Sequence, residues 1–344
     1  MAISNYQTPT KIKLFTSYPQ YAYAAGLITD TDTNNIADLS EEERFKLITL
    51  DPTSTTKIMG NISAEVFYRF KDSENNANNF DYFMVLGHKL FYDNLNITPQ
   101  QCNFEGTNSE SIQDVSTTGF VNYPIAYNGW SAATLTDTDS KDSFGFKITS
   151  DNDNQNIETD IGSILWGKSW EAPQNVDLNN SVSYNYGFKQ KKTIGGKTIS
   201  NMNYYKPNKW LLDAWELSET KSDERNVATE SRNGIRTWSV SWSFLQDKYA
   251  MPQNSMTNSN GWTRDSDSDY YIGADEKSLY NSSDGIDFIT SVIKPTMGGH
   301  LPMVARISES NNPDQYAIVR MSKLSINQKN PKFVDIKLTL EEQV

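Results

Sequence analysis

A single cysteine, Cys102, stands in 344 residues, so the chain can close no intrachain disulfide and can build no cysteine-based zinc cluster. Nowhere do 18 or more apolar residues run together, which removes a membrane-spanning helix from consideration. The opening M-A-I-S-N-Y-Q-T lacks the basic segment and apolar run of a secretory signal, so synthesis in a cytoplasm is expected. Cations are scarce too: 31 Lys and Arg face 43 Asp and Glu, a net charge of -12 with a pI near 4.7. Binding nucleic acid through its phosphates needs clustered Lys and Arg, so no direct nucleic-acid readout is expected. The acidity itself reads as solubility and self-repulsion before assembly.

Aliphatic residues are also thin, with 37% hydrophobic residues and a mean hydropathy of -0.63. Disorder is nevertheless the wrong expectation, because 8 Trp, 18 Tyr and 15 Phe supply burial that the aliphatics do not. Aromatics set among abundant Asn, Ser, Thr and Asp suit strands and turns. At 39.0 kDa the chain has the length of about two domains.

Residues 11–15, K-I-K-L-F, alternate and predict a short edge strand. Ser40 followed by Glu43 has capping-box spacing, with three glutamates in the first turn, and predicts a helix over 40–50 that Pro52 stops. Residues 58–70 and 82–86 bracket a polar loop and read as a hairpin with a long tip. Residues 94–160 predict strands with long connections around the alternation F-G-F-K-I at Phe144. A shift toward denser strand patterns at residues 166–173 suggests a boundary, giving an N-terminal β-rich, loop-rich domain over 1–170 and a C-terminal antiparallel β domain over 171–344.

In the second half, alternation over 182–194 runs into Gly195-Gly196, a tight-turn signal for a hairpin. Residues 236–245, R-T-W-S-V-S-W-S-F-L, form the cleanest strand, with Trp238, Val240, Trp242 and Phe244 on one face and serines on the other. Ser283 or Asp284 caps a predicted helix carrying Phe288, Ile289, Val292 and Ile293, which Pro295 ends near residue 294. Gly298-Gly299 marks a turn, residues 303–307 and 316–321 read as strands around the N-N-P-D turn, and residues 333–340 form a last alternating strand. The expectation is a mainly β protein of antiparallel sheets, sandwich or barrel-like, with a few short helices.

Candidate chemistry is sparse. His88 and His300 lie far apart in sequence with no partner motif around either, and no nucleophile elbow, H-E-x-x-H or phosphate-binding loop is present. Asp265, Asp267, Asp269 and Glu276 fall at positions 1, 3, 5 and 12 of a calcium loop, but Tyr270 stands where that loop needs glycine, and chance in an Asp-rich chain is the simpler reading. With 43 acidic residues, no carboxylate pair for glycoside hydrolysis can be singled out. Trp130, Trp166, Trp170 and Trp262, if exposed, suit stacking on a sugar ring; core or interface packing is the alternative for each. No catalytic residue, cofactor or metal site is therefore assigned.

Taken in order, G-G-K-T-I at 195–199, the strand at 236–245, P-T-M-G-G-H-L-P at 295–302 and N-P-D-Q-Y-A-I-V-R at 312–320 resemble structural proteins of the tailed-bacteriophage virion, of the tail and baseplate type. The resemblance spans about residues 166–340. It implies a non-enzymatic component of the virion tail, a hub or distal-tail ring protein, made in the bacterial cytoplasm. Its partners would be copies of itself and other virion proteins, with a head-to-tail connector or capsid accessory protein as the alternative. A receptor or carbohydrate-binding tail module, with a host glycan as ligand, is a further alternative, and a tail-associated hydrolase with two carboxylates another.

Overall fold

Two-residue alternation is the local rule most of this chain follows, and in the computed structural model it yields a mainly β protein of antiparallel sheets with a few short helices. The structure describes residues 11–36, 39–51, 54–70, 80–90, 93–105, 108–119, 130–136, 141, 143–150, 156–185, 188–202, 235–250, 287–307, 316–330 and 333–343. Its first strands are β1 (Lys13–Phe15), β2 (Ile28–Ile36), β3 (Thr56–Phe70), β4 (Tyr82–Leu86), β5 (Leu95–Glu105), β6 (Asn108–Asp114), β7 (Ser116–Gly119), β8 (Trp130–Thr136), β9 (Ser143–Ser150), β10 (Ile157–Ile161) and β11 (Ser163–Gly167). Then come β12 (Ser169–Glu171), β13 (Ser181–Asn185), β14 (Phe188–Lys192), β15 (Thr198–Met202), β16 (Ile235–Gln246), β17 (Met303–Arg306), β18 (Tyr316–Asn330) and β19 (Phe333–Glu342). Helices α1 (Tyr18–Ala24), α2 (Glu41–Lys46) and α3 (Asp247–Ala250), with a π-helical turn at Ile289–Ile293, complete the described elements.

One sheet has seven strands in the order β12-β1-β17-β18-β19-β16-β13; another runs β10-β3-β9-β5-β6, with β2 also on β3. A third is β11-β4-β8-β7, and β14-β15 stand as a ribbon of two. Asp32 on β2 accepts hydrogen bonds from the backbone N–H and the hydroxyl of Ser109 on β6, both 2.8 Å, so a side-chain bridge joins those two strands across the second sheet.

Residues 166–173 are where the chain leaves the four-stranded sheet through β11 and enters the seven-stranded one through β12, while β1, from the start of the chain, belongs to the seven-stranded sheet. Three main hydrophobic clusters follow from this arrangement. One gathers Tyr18, Tyr68, Phe80, Phe144 and Trp166, and another Trp170, Trp238, Trp242, Phe288 and Leu340. The third takes Phe15, Tyr82 and Leu165 together with Val304 and Tyr316, and so joins elements from both halves of the sequence.

The capping box forms as the spacing predicts: Ser40 Oγ accepts from the Glu43 N–H at 3.3 Å, and Glu43 Oε2 accepts from the Ser40 N–H at 2.9 Å. Four other expectations are corrected. Strand β1 is not an edge, because β12 and β17 pair with its two sides and Ile12, Leu14 and Phe15 are buried. Strands β3 and β4 do not form a hairpin. All five residues of β4 are buried, which demands neighbours on both sides, and β11 and β8 provide them, while β3 is taken by β2, β10 and β9.

The strand β16 does not keep four aromatic and aliphatic side chains on one face. Trp238, Val240 and Trp242 are buried, but a bulge after Trp242 turns Phe244 outward, 64% exposed at φ 59°, and puts Leu245 in the core. Its cause is distant polar bonding: Asp177 Oδ2 accepts from the hydroxyls of Ser241 and Ser243, both 2.8 Å, and Asp335 Oδ1 accepts from the Phe244 N–H at 3.1 Å. The predicted helix is, in its described part, a π-helical turn opened by Asp287, whose Oδ1 accepts from the Thr290 N–H at 2.8 Å. It ends at Ile293 with Lys294 as its C-cap, just before Pro295 as expected, and hydrogen-bonded turns follow until Met297, Gly298 and Gly299 take positive φ. Ser283, Asp284 and the N-N-P-D turn lie outside the described residues.

Where the chain passes between sheets, Gly167 lies against the backbone of Thr16: a Cβ added there would sit 2.4 Å from the Thr16 carbonyl oxygen. Gly167→Ala should therefore cost about 1–3 kcal/mol in urea unfolding through forced backbone movement. Trp242→Ala should cost about 3–5 kcal/mol. Phe244→Asn, at an exposed left-handed position that Asn tolerates, should change stability by less than about 1 kcal/mol.

Candidate functional site

Candidate chemistry begins with the histidines. Gly87, at φ 66°, turns the chain out of β4 and places His88 fully inside the protein. Its Nδ1 accepts the Leu90 N–H at 3.3 Å, so the ring proton sits on Nε2 and is donated to Ser131 Oγ at 2.9 Å. Burial pulls its pKa down to about 3, which makes His88 a neutral structural donor at physiological pH. His300 is exposed, in the turn that follows Gly298-Gly299.

Trp166 and Trp170, which the sequence offers as sugar-stacking platforms, are instead buried. Trp166 packs 5.0 Å from Phe144, and Trp170 lies edge-on to Trp242 at 5.6 Å and to Phe288 at 5.0 Å. Trp130 is a β8 residue opposite Leu86, and Trp262 lies outside the described residues. So do Asp265, Asp267, Asp269 and Glu276. Among the described residues no group of three His, Cys, Asp or Glu side chains is placed to hold a metal ion. Nor is any described helix long and apolar enough to cross a membrane. Cys102 is buried with Phe67 and Phe104.

The charged groups that sequence reading missed are structural. Glu342 is fully buried and takes Arg236 in a forked pair, Nη2 to Oε1 at 2.6 Å and Nε to Oε2 at 3.1 Å, while Oε2 also accepts the Arg236 backbone N–H at 2.9 Å. The guanidinium lies 4.8 Å from the Trp238 ring centre. Asp81 accepts the Ser169 N–H at 2.9 Å, and its burial pushes its pKa upward against the pull of Ser169 and Lys13. Nothing local announces either contact, since 106 residues separate Arg236 from Glu342 and 88 separate Asp81 from Ser169.

What the arrangement presents to the outside is β edge. Strand β13 closes one end of the seven-stranded sheet with all five residues exposed, Val182 at 47% and Tyr184 at 50%. The ribbon β14-β15 follows it directly, turned by Thr193–Lys197 with Gly196 at φ 79°. Strand β18 continues past the reach of β17, whose pairing stops at Val319, and leaves Leu324 exposed. Exposed edges of this kind can act as templates for adding strands from another chain. No protein-family model and no curated protein matches the chain.

The His88 environment sets a pH dependence. With a folded pKa near 3 and an unfolded value near 6.5, the unfolded chain binds the extra proton between those values, so stability rises with pH there. The contribution is complete above about pH 6.5 and is lost as pH falls toward 3. Urea unfolding should show about 2 kcal/mol lost through this group between pH 7 and pH 5. His88→Gln, which keeps a donor for Ser131, should be less stable at pH 7 and flatten the slope by that amount; an unchanged slope would place the titration elsewhere.

Proposed function

We propose that the chain is a non-enzymatic structural component of a tailed-phage virion, a hub or distal-tail ring protein of the tail or baseplate that acts by assembling with copies of itself and with other virion proteins. The observation that carries this reading is the open seven-stranded sheet, with an exposed edge at β13 and a two-stranded ribbon beyond it. The segments that carry the resemblance are parts of that sheet or attachments to it. Residues 195–199 turn and continue the ribbon, β16 is an inner strand, and Gly299 fits so closely under β18 that an added Cβ would sit 2.8 Å from the Met321 carbonyl oxygen. These are residues of packing and pairing, which suits a protein whose work is assembly. An exposed β edge can pair with another chain, and heterologous contacts generate rings where their rotation closes.

The test is location. Peptides of this chain should appear in mass spectra of purified particles, and antibodies against it should label one fixed level of the tail in electron micrographs. Particles that lack the chain, or label scattered over the head, would remove the proposal.

A further inference from the structure

The ribbon β14-β15 differs from the rest of the molecule in charge. Residues 188–202 carry Lys189, Lys191, Lys192 and Lys197 and no acidic residue. Taking those four charges from the chain's -12 leaves -16 on the remainder. Elsewhere in the described structure several cations are matched with carboxylates, Lys57 with Glu158, Lys147 with Glu65, Arg306 with Glu171, Lys329 with Asp335 and Arg236 with Glu342, whereas the ribbon gathers four lysines with no carboxylate among its own residues. None of the ribbon's four lysines has a carboxylate partner of this kind. At the turn between the strands Ile194 is fully exposed, and Ile199 on β15 is 56% exposed.

A ribbon of two strands that covers no core is marginal by itself. Its turn is well made, with the Thr193 N–H donating to Lys197 O at 2.8 Å and Thr193 Oγ1 accepting the Lys197 N–H at 3.1 Å, so its form is set while both faces stay open. An isoleucine knob surrounded by lysines has the composition of an interface anchor with a charged rim. Its complement is an acidic surface. Nucleic acid would satisfy the lysines, but the -16 carried by the remainder would meet the same phosphates and oppose them. A second copy of the chain carries that net negative charge outside its own ribbon, without this conflict.

We infer that the ribbon β14-β15 is a docking arm that seats Ile194 and its flanking lysines on the acidic body of a neighbouring copy, in a head-to-tail contact. The arm and the body it meets are different surfaces of the same chain, so the contact is heterologous and leaves each copy with one arm and one receiving face. This inference rests on the assembly reading above and names the contact that would build it.

The test uses the full chain. Sedimentation velocity at low and at moderate ionic strength should show self-association of the wild-type protein that weakens as salt rises. Reversing the arm with Lys189→Glu, Lys191→Glu, Lys192→Glu and Lys197→Glu should weaken association by about tenfold or more. Ile194→Asp should do the same with one substitution. Circular dichroism and the melting temperature should stay at wild-type values in both variants, because these side chains are exposed. A wild-type chain that stays monomeric at low salt overturns the inference, and so does a charge-reversed variant that assembles as well as the wild type. A mobility shift of double-stranded DNA that the reversal abolishes assigns the arm to nucleic acid instead. Virion mass spectra separate this from the broader proposal: the chain found in particles while the reversed arm still assembles rejects the arm alone. Arm-dependent association of a chain absent from particles rejects the virion reading alone.

Discussion

The contact on which the two halves of the molecule depend is the crossing of two chain passages at Thr16 and Gly167. Thr16 follows β1, and Gly167 ends β11 just before the chain turns into β12; the two backbones meet so closely that there is no room for a side chain on residue 167. Polar groups fix the crossing from each side. Tyr82 donates its hydroxyl to Thr16 O at 2.7 Å, Thr16 donates its own to Ser291 O at 3.1 Å, and Asp81 holds Ser169. The partners lie in or next to β4, β11, β12 and the π-helical turn, so the four-stranded sheet, the seven-stranded sheet and that turn are held to one another at a single place. Phe15, Tyr82, Leu165, Val304 and Tyr316 then pack beside it, with the Phe15 and Tyr82 rings edge-on at 5.1 Å. Because β1 must find strands far along the sequence, these contacts form only after large loops have closed, which predisposes such a topology to slow folding.

What could be read in advance was what is decided locally. The Ser40 capping box, the Gly195-Gly196 turn and the alternation through Trp238, Val240 and Trp242 depend on residues a few positions apart, and each stands in the structure. The errors came where distant residues decide. Phe244 sits in phase with Trp242, but Asp177 and Asp335 bind the backbone and serines around it and shift the register, so Leu245 is buried in its place. Strands β3 and β4 adjoin in sequence, yet β4 is apolar on both faces and must lie inside a sheet, a demand that the nearby polar loop conceals. For a tryptophan, alternation does not tell an exposed platform from a core ring, which is why Trp166 and Trp170 were legible as important and not as buried. The mainly β class was thus open to reading, while pairing order and the placement of polar clamps were not.

The Arg236–Glu342 pair is the other long-range clamp, and it shows how this acidic chain uses its few cations. Burying an isolated carboxylate is costly, and Arg236 offsets that cost for the buried Glu342 by presenting a two-pronged guanidinium and a backbone N–H to the same group. The pair links the first residues of β16 to the end of β19, beside the packing of Trp238 and Leu340, so charge pairing and aromatic burial act on the same strand pair. Removing one partner would cost the other its forked charge pairing in that core, a larger loss than the pair's net contribution.

Set against those pairs, the ribbon β14-β15 stands out as a run of four lysines with no acidic residue among them. Arg236, Arg306, Lys147 and Lys329 each serve the fold by answering a carboxylate, and their positions follow from strand pairing. The ribbon's lysines answer nothing within the described structure, and its isoleucines cover no core. Lysine on a free β edge does discourage indiscriminate strand pairing, but that need is met by charge alone and gives no reason for a fully exposed Ile194 at the turn. Removing both the charges and the knob would take nothing from any of the three main clusters. An element that adds no residue to those clusters, and whose charge is opposite to the net charge of the chain that carries it, is suited to a contact outside that chain.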